Sequence, residues 1–213
     1  MDNVVSLKQK AYQYIKTRIV DCDYPPNAFL NEKQLMADIQ VSRTPIREAL
    51  SKLEQENLVS ILPNRGVTVK SLSAVEINMM FQTRELIETY IVQKDGGQID
   101  KNLLMHMKEQ MDQDLQAFDL SENSTLDDEF HKMLMSGSKN TYLLQVLDHM
   151  YIQLHRLRVM NGQRNMGRLQ LSHQEHRAIV DRLISGDYQG AAEAVRIHLA
   201  NARDAAMDLL ISS

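Results

Sequence analysis

The sequence predicts a mainly α-helical protein, with an N-terminal winged helix-turn-helix followed by an antiparallel bundle of six helices, or seven with a short additional one. Within residues 1–70, helical segments joined by a tight turn precede two β-branched runs. From Ser71 onward, helical periodicity with short connections replaces the strand pattern. At 213 residues the chain can form two cores, so we expect a winged helix-turn-helix domain at 1–70, a linker at 71–74 and a helical bundle at 75–213.

Apolar spacing and capping predict the first two helices. Residues Tyr24 to Asn27 include two prolines, which should end the first helix. Asn31 should cap a short second helix, and Gln34, three residues on, should complete a capping box. The apolar positions expected to pack are Leu7, Ala11, Tyr14, Ile15 and Ile19 in the first helix, and Leu35, Met36 and Ile39 in the second.

A third helix begins within Val-Ser-Arg-Thr-Pro-Ile-Arg-Glu-Ala-Leu, residues 41–50, after the turn formed by residues 40–42. Ser42 or Thr44 can cap its start, and Pro45 suits the first turn. Arg43 and Arg47 are four residues apart and share one face, which suits phosphates and guanine edges. An ordinary amphipathic surface helix is the alternative. The predicted buried stripe is Ile46, Ala49, Leu50 and Leu53.

Two β-branched runs, residues 58–62 and 67–69, flank Pro-Asn-Arg-Gly and predict a hairpin wing. Arg65 lies at its tip, and Gly66 relieves the turn. Residues 1–70 hold ten Lys and Arg against eight Asp and Glu, whereas the remainder holds fourteen against twenty, so the small positive excess is local. The sequence has no apolar run near 18 residues and no signal sequence. We therefore expect a soluble cytoplasmic protein without a membrane partner, in which the single Cys22 forms no internal disulfide.

The second half predicts helices throughout. Ser73 and Glu76 form a capping box that opens a helix running to about Lys94, and five further helices are expected near 100–118, 123–136, 139–160, 166–185 and 188–211. The thirteen methionines mostly fall here and predict a Met-rich core. In the first bundle helix, Met79, Met80, Leu86 and Tyr90 are expected to mark the apolar sides.

All seven histidines lie in the bundle, and three of them relate to one aspartate. Asp127 and His131 are four apart and share a helix face, while His176 and His198 are equidistant from residue 187 in a predicted helical hairpin. If the two pairs face each other, they form an Asp-His-His-His site for zinc or another divalent metal. His173 is an alternative to His176. The remaining histidines, His106, His149 and His155, are interpreted as ordinary polar residues.

Residues 8–70 resemble the DNA-binding domain of the GntR family of bacterial transcription regulators. The resemblance rests on Pro26, Leu30, residues 41–50, Leu53, Glu54, residues 64–66 and Val69. Asn27 stands where the family usually has glycine, and asparagine tolerates the same left-handed backbone. The second half resembles the FCD domain of the FadR subfamily, nearer its VanR-like branch, through 127–131, 172–179, 186–187, 191–192 and 198–199.

The resemblance implies a ligand-responsive regulator, a repressor that binds a palindromic operator as a homodimer. It implies a metal, zinc first with nickel or manganese as alternatives, and it favours His176 over His173 through the spacing to Ile179. It also directs Arg84 toward the pocket, where the guanidinium would pair with a small carboxylate effector, whereas a surface salt bridge with Glu88 is the alternative. The residues expected to contact DNA are Lys33, Ser42, Arg43, Thr44, Arg47, Arg65 and Gly66.

Two other functions are compatible with the same residues. A regulator could respond to metal alone, without an organic effector. A metal-dependent enzyme is less supported, because the sequence has no His-Glu-x-x-His pattern, nucleophile elbow or glycine-rich phosphate loop.

Overall fold

The computed structural model describes residues 6–63, 65–117, 123–162 and 166–211. The chain folds into two compact units, Met1–Leu72 and Ser73–Ser213. Asn64 of the predicted wing turn and the predicted helix connection at residues 119–121 lie outside the described residues. Within the described part, no helix is both long enough and apolar enough to cross a membrane.

The N-terminal unit is a winged helix-turn-helix. Its elements are α1 (Leu7–Val20), β1 (Phe29–Leu30), α2 (Glu32–Ile39), α3 (Arg43–Gln55), β2 (Val59–Leu62) and β3 (Gly66–Val69). The strands pair antiparallel in the order β1-β3-β2, and Ile61 of β2 faces Val67 of β3. The sequence predicted the β2–β3 hairpin but not β1, because two residues are too few to show an alternating pattern.

The core of this unit confirms the predicted stripe of α3, since Ile46, Ala49, Leu50 and Leu53 are all buried. In α1 the prediction was partly wrong, because Tyr12 is buried instead of Tyr14, and Leu7 is 57% exposed. The Tyr12 hydroxyl donates to Glu56 at the end of α3 at 2.7 Å and accepts from Lys16 at 2.7 Å. These bonds turn the Tyr12 side of α1 toward α3.

The turns agree with the chemistry of their residues. Asn27 has a φ of 67° and Gln40, between α2 and α3, a φ of 59°, both in the left-handed region. The Asn31 side chain caps α2 by accepting from the backbone N–H of Lys33 and Gln34 at 2.9 and 3.3 Å. The predicted capping box is wrong in its second half, because the Gln34 amide donates to Asp38 instead. Ser42 precedes α3 without a side-chain capping bond.

The C-terminal unit is helical. Among the described residues its α-helices are α4 (Ala74–Asp95), α5 (Lys101–Ala117), α6 (Asn123–Met135), α7 (Thr141–Gly162), α8 (Met166–Ser185) and α9 (Tyr188–Ile211), with a 3₁₀ turn at Gly96–Gln98. Helix α9 packs against α4 and α8, and α8 also packs against α5. The capping box predicted for α4 is present, with Ser73 and Glu76 bonding reciprocally.

Helix α4 contradicts the predicted amphipathic pattern. The buried side holds Arg84 and Glu88, which are 2% and 0% exposed, beside Ile77, Phe81 and Ile91. Three of the residues that were expected to mark its apolar sides are not in the core: Met79, Leu86 and Tyr90 are 58%, 74% and 46% exposed. Because an ion pair is buried and apolar side chains are exposed, burial of apolar surface in the core does not explain the residues on either face of α4.

Candidate metal centre and DNA-contact surface

Four side chains converge inside the C-terminal unit. Asp127, His131, His176 and His198 each offer one ligand atom, and these atoms all lie within 4.8 Å of one another. The Nε2 atom of His176 is 3.2 Å from Nε2 of His198 and 3.5 Å from Oδ1 of Asp127. Three helices supply the cluster: α6 carries the first two residues one turn apart, and the α8–α9 hairpin aligns His176 with His198. His173 is buried nearby but is not in the cluster.

A second layer of carboxylates orients two of the imidazoles. Nδ1 of His131 is 3.1 Å from Oε2 of Glu88, and Nδ1 of His198 is 2.8 Å from Oε2 of Glu175. A carboxylate only accepts, so each of these Nδ1 atoms carries the proton and each Nε2 has the lone pair. The lone pair of His198 faces the cluster, whereas Nε2 of His131 also lies 3.0 Å from the donor Nη2 of Arg84. The His176 ring is held differently, by stacking on Phe130 with centroids 3.9 Å apart.

The charges in the cluster are strongly perturbed. Burial and the neighbouring His198 hold the pKa of His176 well below its ordinary value, and burial also lowers the pKa of His198 despite its bond to Glu175. Burial alone would raise the pKa of Asp127, but Arg158 and the surrounding histidines outweigh it, and the carboxyl stays ionised. At neutral pH the cluster therefore presents neutral His176 and His198 beside a carboxylate.

These residues fit a divalent metal ion. Three imidazole nitrogens and one carboxylate oxygen converge in a buried space, and Nδ1 of His176 has no hydrogen-bond partner among the described residues. A cation bound between Nε2 of His176 and Nε2 of His198 would remove the repulsion of their facing lone pairs, which without a metal requires a proton on one of the two nitrogens. A mixed set of three nitrogens and one oxygen suits zinc and other divalent transition metals, and leaves coordination positions for further ligands.

Arg84 lies next to this cluster and is not a surface residue. Its Nε donates to Oε1 of Glu88 at 2.5 Å, and its Nη2 is 3.0 Å from both ring nitrogens of His131. Burial alone would raise the pKa of Glu88, but Arg84 and His131 lower it to about 2. The Tyr151 hydroxyl donates to the same carboxylate at 3.3 Å. Arg84 therefore lies beside the candidate metal ligands, as expected, and its guanidinium is already paired with Glu88.

Sequence reasoning missed several residues around the site. Arg158 of α7 lies 3.0 Å from Oδ2 of Asp127 and also pairs with Asp128. Glu88 and Glu175, which orient the imidazoles, were not predicted either. Glu88 carried one usable signal, since it shares a face with Ile77, Phe81 and Arg84 at helical spacing. The other histidines behave as interpreted: His106 and His149 are exposed, and His155 pairs with Asp128 at 2.5 Å.

In the N-terminal unit, all but one of the predicted DNA-contacting residues are exposed, and Gly66 is half-buried. The exposed ones are Lys33, Ser42, Arg43, Thr44, Arg47 and Arg65. Arg43 and Arg47 project from the start of α3, with side chains 63% and 61% exposed, and both donate to Oε2 of Glu32. At Gly66 the φ is +96°, which strains any other residue, and a Cβ would displace the exposed Phe29 ring. Gly66 therefore lets β1 and the wing approach closely.

Comparison with known families identifies both units. Residues 7–69 match the bacterial regulatory proteins of the gntR family, and residues 79–201 match the FCD domain. The chain belongs to the GntR family of transcriptional regulators that carry an FCD domain. GntR helix-turn-helix domains bind DNA and FCD domains bind small-molecule effectors, so this is a family of regulators and not of enzymes.

Individual relatives agree with this assignment. The chain is 27% identical over 191 residues to the HTH-type transcriptional regulator YdhC of Bacillus subtilis, covering 88% of this chain and 85% of that protein. It is 26% identical over 158 residues to the HTH-type transcriptional repressor RspR of Escherichia coli, covering 73% and 69%.

Solved structures share the fold. A GntR transcriptional regulator from Rhodococcus sp. RHA1 matches with a TM-score of 0.80 at 22% identity, covering 94% of this chain and 97% of that one. The Zn²⁺-bound FCD domain of the regulator TM0439 matches with a TM-score of 0.56 at 22% identity, covering 67% and 99%.

Proposed function

We propose that this regulator is a homodimeric repressor that binds a palindromic operator and responds to a small organic acid held at a metal ion. The observation that carries the proposal is the convergence of Asp127, His131, His176 and His198 next to the buried Arg84. This joins a metal-ligand set and a guanidinium in one interior site, within a family whose FCD domains bind effectors. The assignment to the VanR-like branch stays a prediction.

The metal would be held by these four residues, with zinc the first candidate and nickel or manganese the alternatives. The zinc-bound FCD domain of TM0439, which has the same fold, supports this choice. Elemental analysis after reconstitution should find about one metal ion per chain, because each chain has one such cluster among its described residues. His176→Ala should lose the metal, while the matched variant His173→Ala should keep it. The reverse result would transfer the ligand role to His173.

An anionic effector follows from the charges around the site. The two guanidiniums, of Arg84 and Arg158, face three carboxylates, those of Glu88, Asp127 and Asp128. A divalent ion therefore leaves about one surplus positive charge in a buried space, which is costly without an anion. A small carboxylate or dicarboxylate offsets this charge by ligating the metal and accepting from a guanidinium. Glu88 and Arg158, which the sequence did not place at the site, carry opposite charges that cancel each other.

A thermal-shift screen of the zinc-loaded protein tests the effector. Hydroxy acids, sugar acids and dicarboxylates should raise the melting temperature and release operator DNA, and neutral or cationic metabolites serve as controls. Arg84→Met should weaken the response to the acid. Operator release on adding metal alone, with no acid active, would instead identify a metal-responsive regulator.

For DNA, we propose that α3 enters the major groove. Arg43 and Arg47 would read guanine edges, where arginine bridges O6 and N7. Contacts to the phosphate backbone or the groove edge would come from Lys33, Ser42, Thr44 and Arg65, with Gly66 beside Arg65 in the wing. The exposure of the two arginines at the start of α3 supports this arrangement. A site selected from random duplexes should be a palindrome, and weaker binding of that site by Arg47→Ala in gel-shift titrations tests the role of α3.

Dimerisation would explain the exposed apolar face of α4. Val75, Met79, Leu86 and Tyr90 follow helical spacing, and each is between 46% and 74% exposed. A second copy would cover this face, and a two-fold dimer matches a palindromic site. Sedimentation should show a dimer in the wild-type protein and a weaker one in Leu86→Glu. A monomeric wild-type protein that binds a single half-site would contradict the proposal.

A further inference from the structure

Glu32 joins the two arginines at the start of α3. A single oxygen, Oε2, accepts from Nε of Arg43 at 3.0 Å and from Nε of Arg47 at 3.3 Å. The carboxylate belongs to the first turn of α2 and is only 25% exposed, whereas both arginines are more than half exposed. Burial alone would raise the pKa of Glu32, but the bonds from the two arginines lower it, so the carboxyl is ionised at neutral pH.

Stability accounts for an acid at this place only in part, because a carboxylate in the first turn of α2 gains about 0.3–1 kcal/mol from the helix dipole. Ion pairs with exposed arginines contribute little to folding. A carboxylate beside a DNA-contacting surface also repels phosphates and reduces sequence-independent attraction. Glu32 therefore lowers sequence-independent attraction where positive charge is most useful, and the helix dipole does not explain its two bonds to Arg43 and Arg47.

The benefit of Glu32 for recognition follows from the nitrogen atom through which each arginine donates to it. Both arginines donate to Glu32 through Nε, and among the described residues neither has another ion pair. The terminal Nη1 and Nη2 groups of each guanidinium thus stay available, and these two donors form an edge that matches O6 and N7 of guanine. Holding Nε also fixes the plane of each guanidinium before DNA arrives, which lowers the conformational entropy lost on binding.

We infer that Glu32 is a positioning residue for sequence recognition, which sets the Nη edges of Arg43 and Arg47 for guanine and lowers binding to non-specific DNA. The inference rests on the proposed placement of α3 in the major groove. It assigns two separable effects to one side chain: its reach positions the arginines, and its charge suppresses sequence-independent affinity.

Two conservative variants separate these effects. Glu32→Asp keeps the charge but shortens the side chain, so binding to non-specific DNA should stay unchanged while specificity falls. Glu32→Gln keeps an acceptor oxygen at full reach but removes the charge, so non-specific affinity should rise while most of the specificity remains. Glu48→Gln is the matched control, because Glu48 is on α3 but pairs with Lys8 of α1 at 3.6 Å.

The full-length protein is first used to select a preferred site from a random pool of duplexes. Dissociation constants are then measured for that site and for a shuffled duplex of the same composition, across several salt concentrations. Glu32→Asp should lower the specificity ratio about tenfold, the discrimination of roughly one bidentate contact. Glu32→Gln should tighten binding to the shuffled duplex about threefold and steepen its salt dependence.

The inference is overturned if Glu32→Asp keeps the wild-type ratio, since reach would then be irrelevant. It is also overturned if Glu32→Asp weakens both duplexes equally, which marks a purely structural role. Failure of the groove placement is distinguishable, because Arg43→Ala and Arg47→Ala would then leave the affinity for the selected site unchanged. Melting temperatures of all variants, with Glu48→Gln for comparison, confirm that the unit is folded.

Discussion

Replacing Glu88 by alanine should destabilise the C-terminal unit severely. The side chains of Arg84 and Glu88 are 2% and 0% exposed, and the carboxylate accepts from Arg84 and Tyr151 and contacts His131. Its removal leaves a guanidinium charge in the interior without an opposite charge. Tyr151 would lose its acceptor at the same time.

The expected cost can be worked from these contacts. Removing one partner of a buried ion pair costs about 3–5 kcal/mol. Arg84 keeps weaker contacts with the rings of Phe81 and Tyr151, whose centroids are 5.5 and 5.6 Å from its Cζ, which favours the lower end of that range. The orphaned Tyr151 hydroxyl adds about 1 kcal/mol. We expect a loss of about 4 kcal/mol, a large part of the stability of a typical domain.

The double variant Arg84→Met/Glu88→Leu provides the decisive comparison. Exchanging both charges for apolar groups of similar size is commonly neutral or stabilising, because no charge then needs solvation. The double variant should therefore recover most of the lost stability, short of about 1 kcal/mol for the orphaned Tyr151 hydroxyl, yet lose its response to the acid. Such a result would mean that the pair is kept for the effector and not for stability.

Hydrogen exchange of the α4 amides in the full-length, metal-free protein measures these changes within the C-terminal unit, and urea unfolding gives the overall effect. A cost of less than about 1 kcal/mol for Glu88→Ala, the size of an ordinary hydrogen bond, would refute a buried and unpaired guanidinium as the cause. A double variant as unstable as the single one would refute it equally, since the cost would then come from packing.

Three further outcomes are expected. Chelating the metal should destabilise the C-terminal unit, by about 4 kcal/mol relative to a metal concentration a thousand times the dissociation constant, as differential scanning calorimetry with and without chelator can measure. Arg47→Ala should cost about 1–3 kcal/mol of operator binding and relax preference at one base position, whereas Arg65→Ala should change affinity more than preference. Burial alone would raise the pKa of Glu56, but Lys16 and Tyr12 lower it, so this carboxylate stabilises the N-terminal unit above about pH 4.5 and contributes less as pH falls below that value. Glu56→Gln should make the free energy of unfolding depend less on pH in the acid range. An unchanged pH dependence would contradict this.

Much of the candidate site could be predicted because its information is local. Asp127 and His131 are one helical turn apart, and the positions of His176 and His198 about the α8–α9 turn follow from counting residues. Helix periodicity therefore predicted both pairs, and the structure brings them within 4.8 Å. The stripe of α3 could be predicted for the same reason, since one face of one helix contains all of it.

Helix α4 shows where such reasoning ends. Its sequence has apolar residues on more than one side, and Met79, Met80, Leu86 and Tyr90 marked these sides without deciding which of them is buried. The buried side is the one that holds Arg84 and Glu88, because the histidine of α6 and the tyrosine of α7 supply the partners that make those charges tolerable inside. Those partners lie 43 to 67 residues away along the chain, so a pattern among neighbouring residues cannot predict them.

Local patterns suffice to predict the winged helix-turn-helix, the helical second half and the pairs Asp127/His131 and His176/His198, because capping, turn residues and apolar periods act over a few residues. The packing of the helices establishes that Glu88 and Glu175 orient the imidazoles, that Arg158 neutralises Asp127, and that Glu32 bridges the two arginines of α3. Each of these contacts joins different helices. Their existence depends on how the helices pack and how burial strengthens charge interactions, and both are properties of the folded chain.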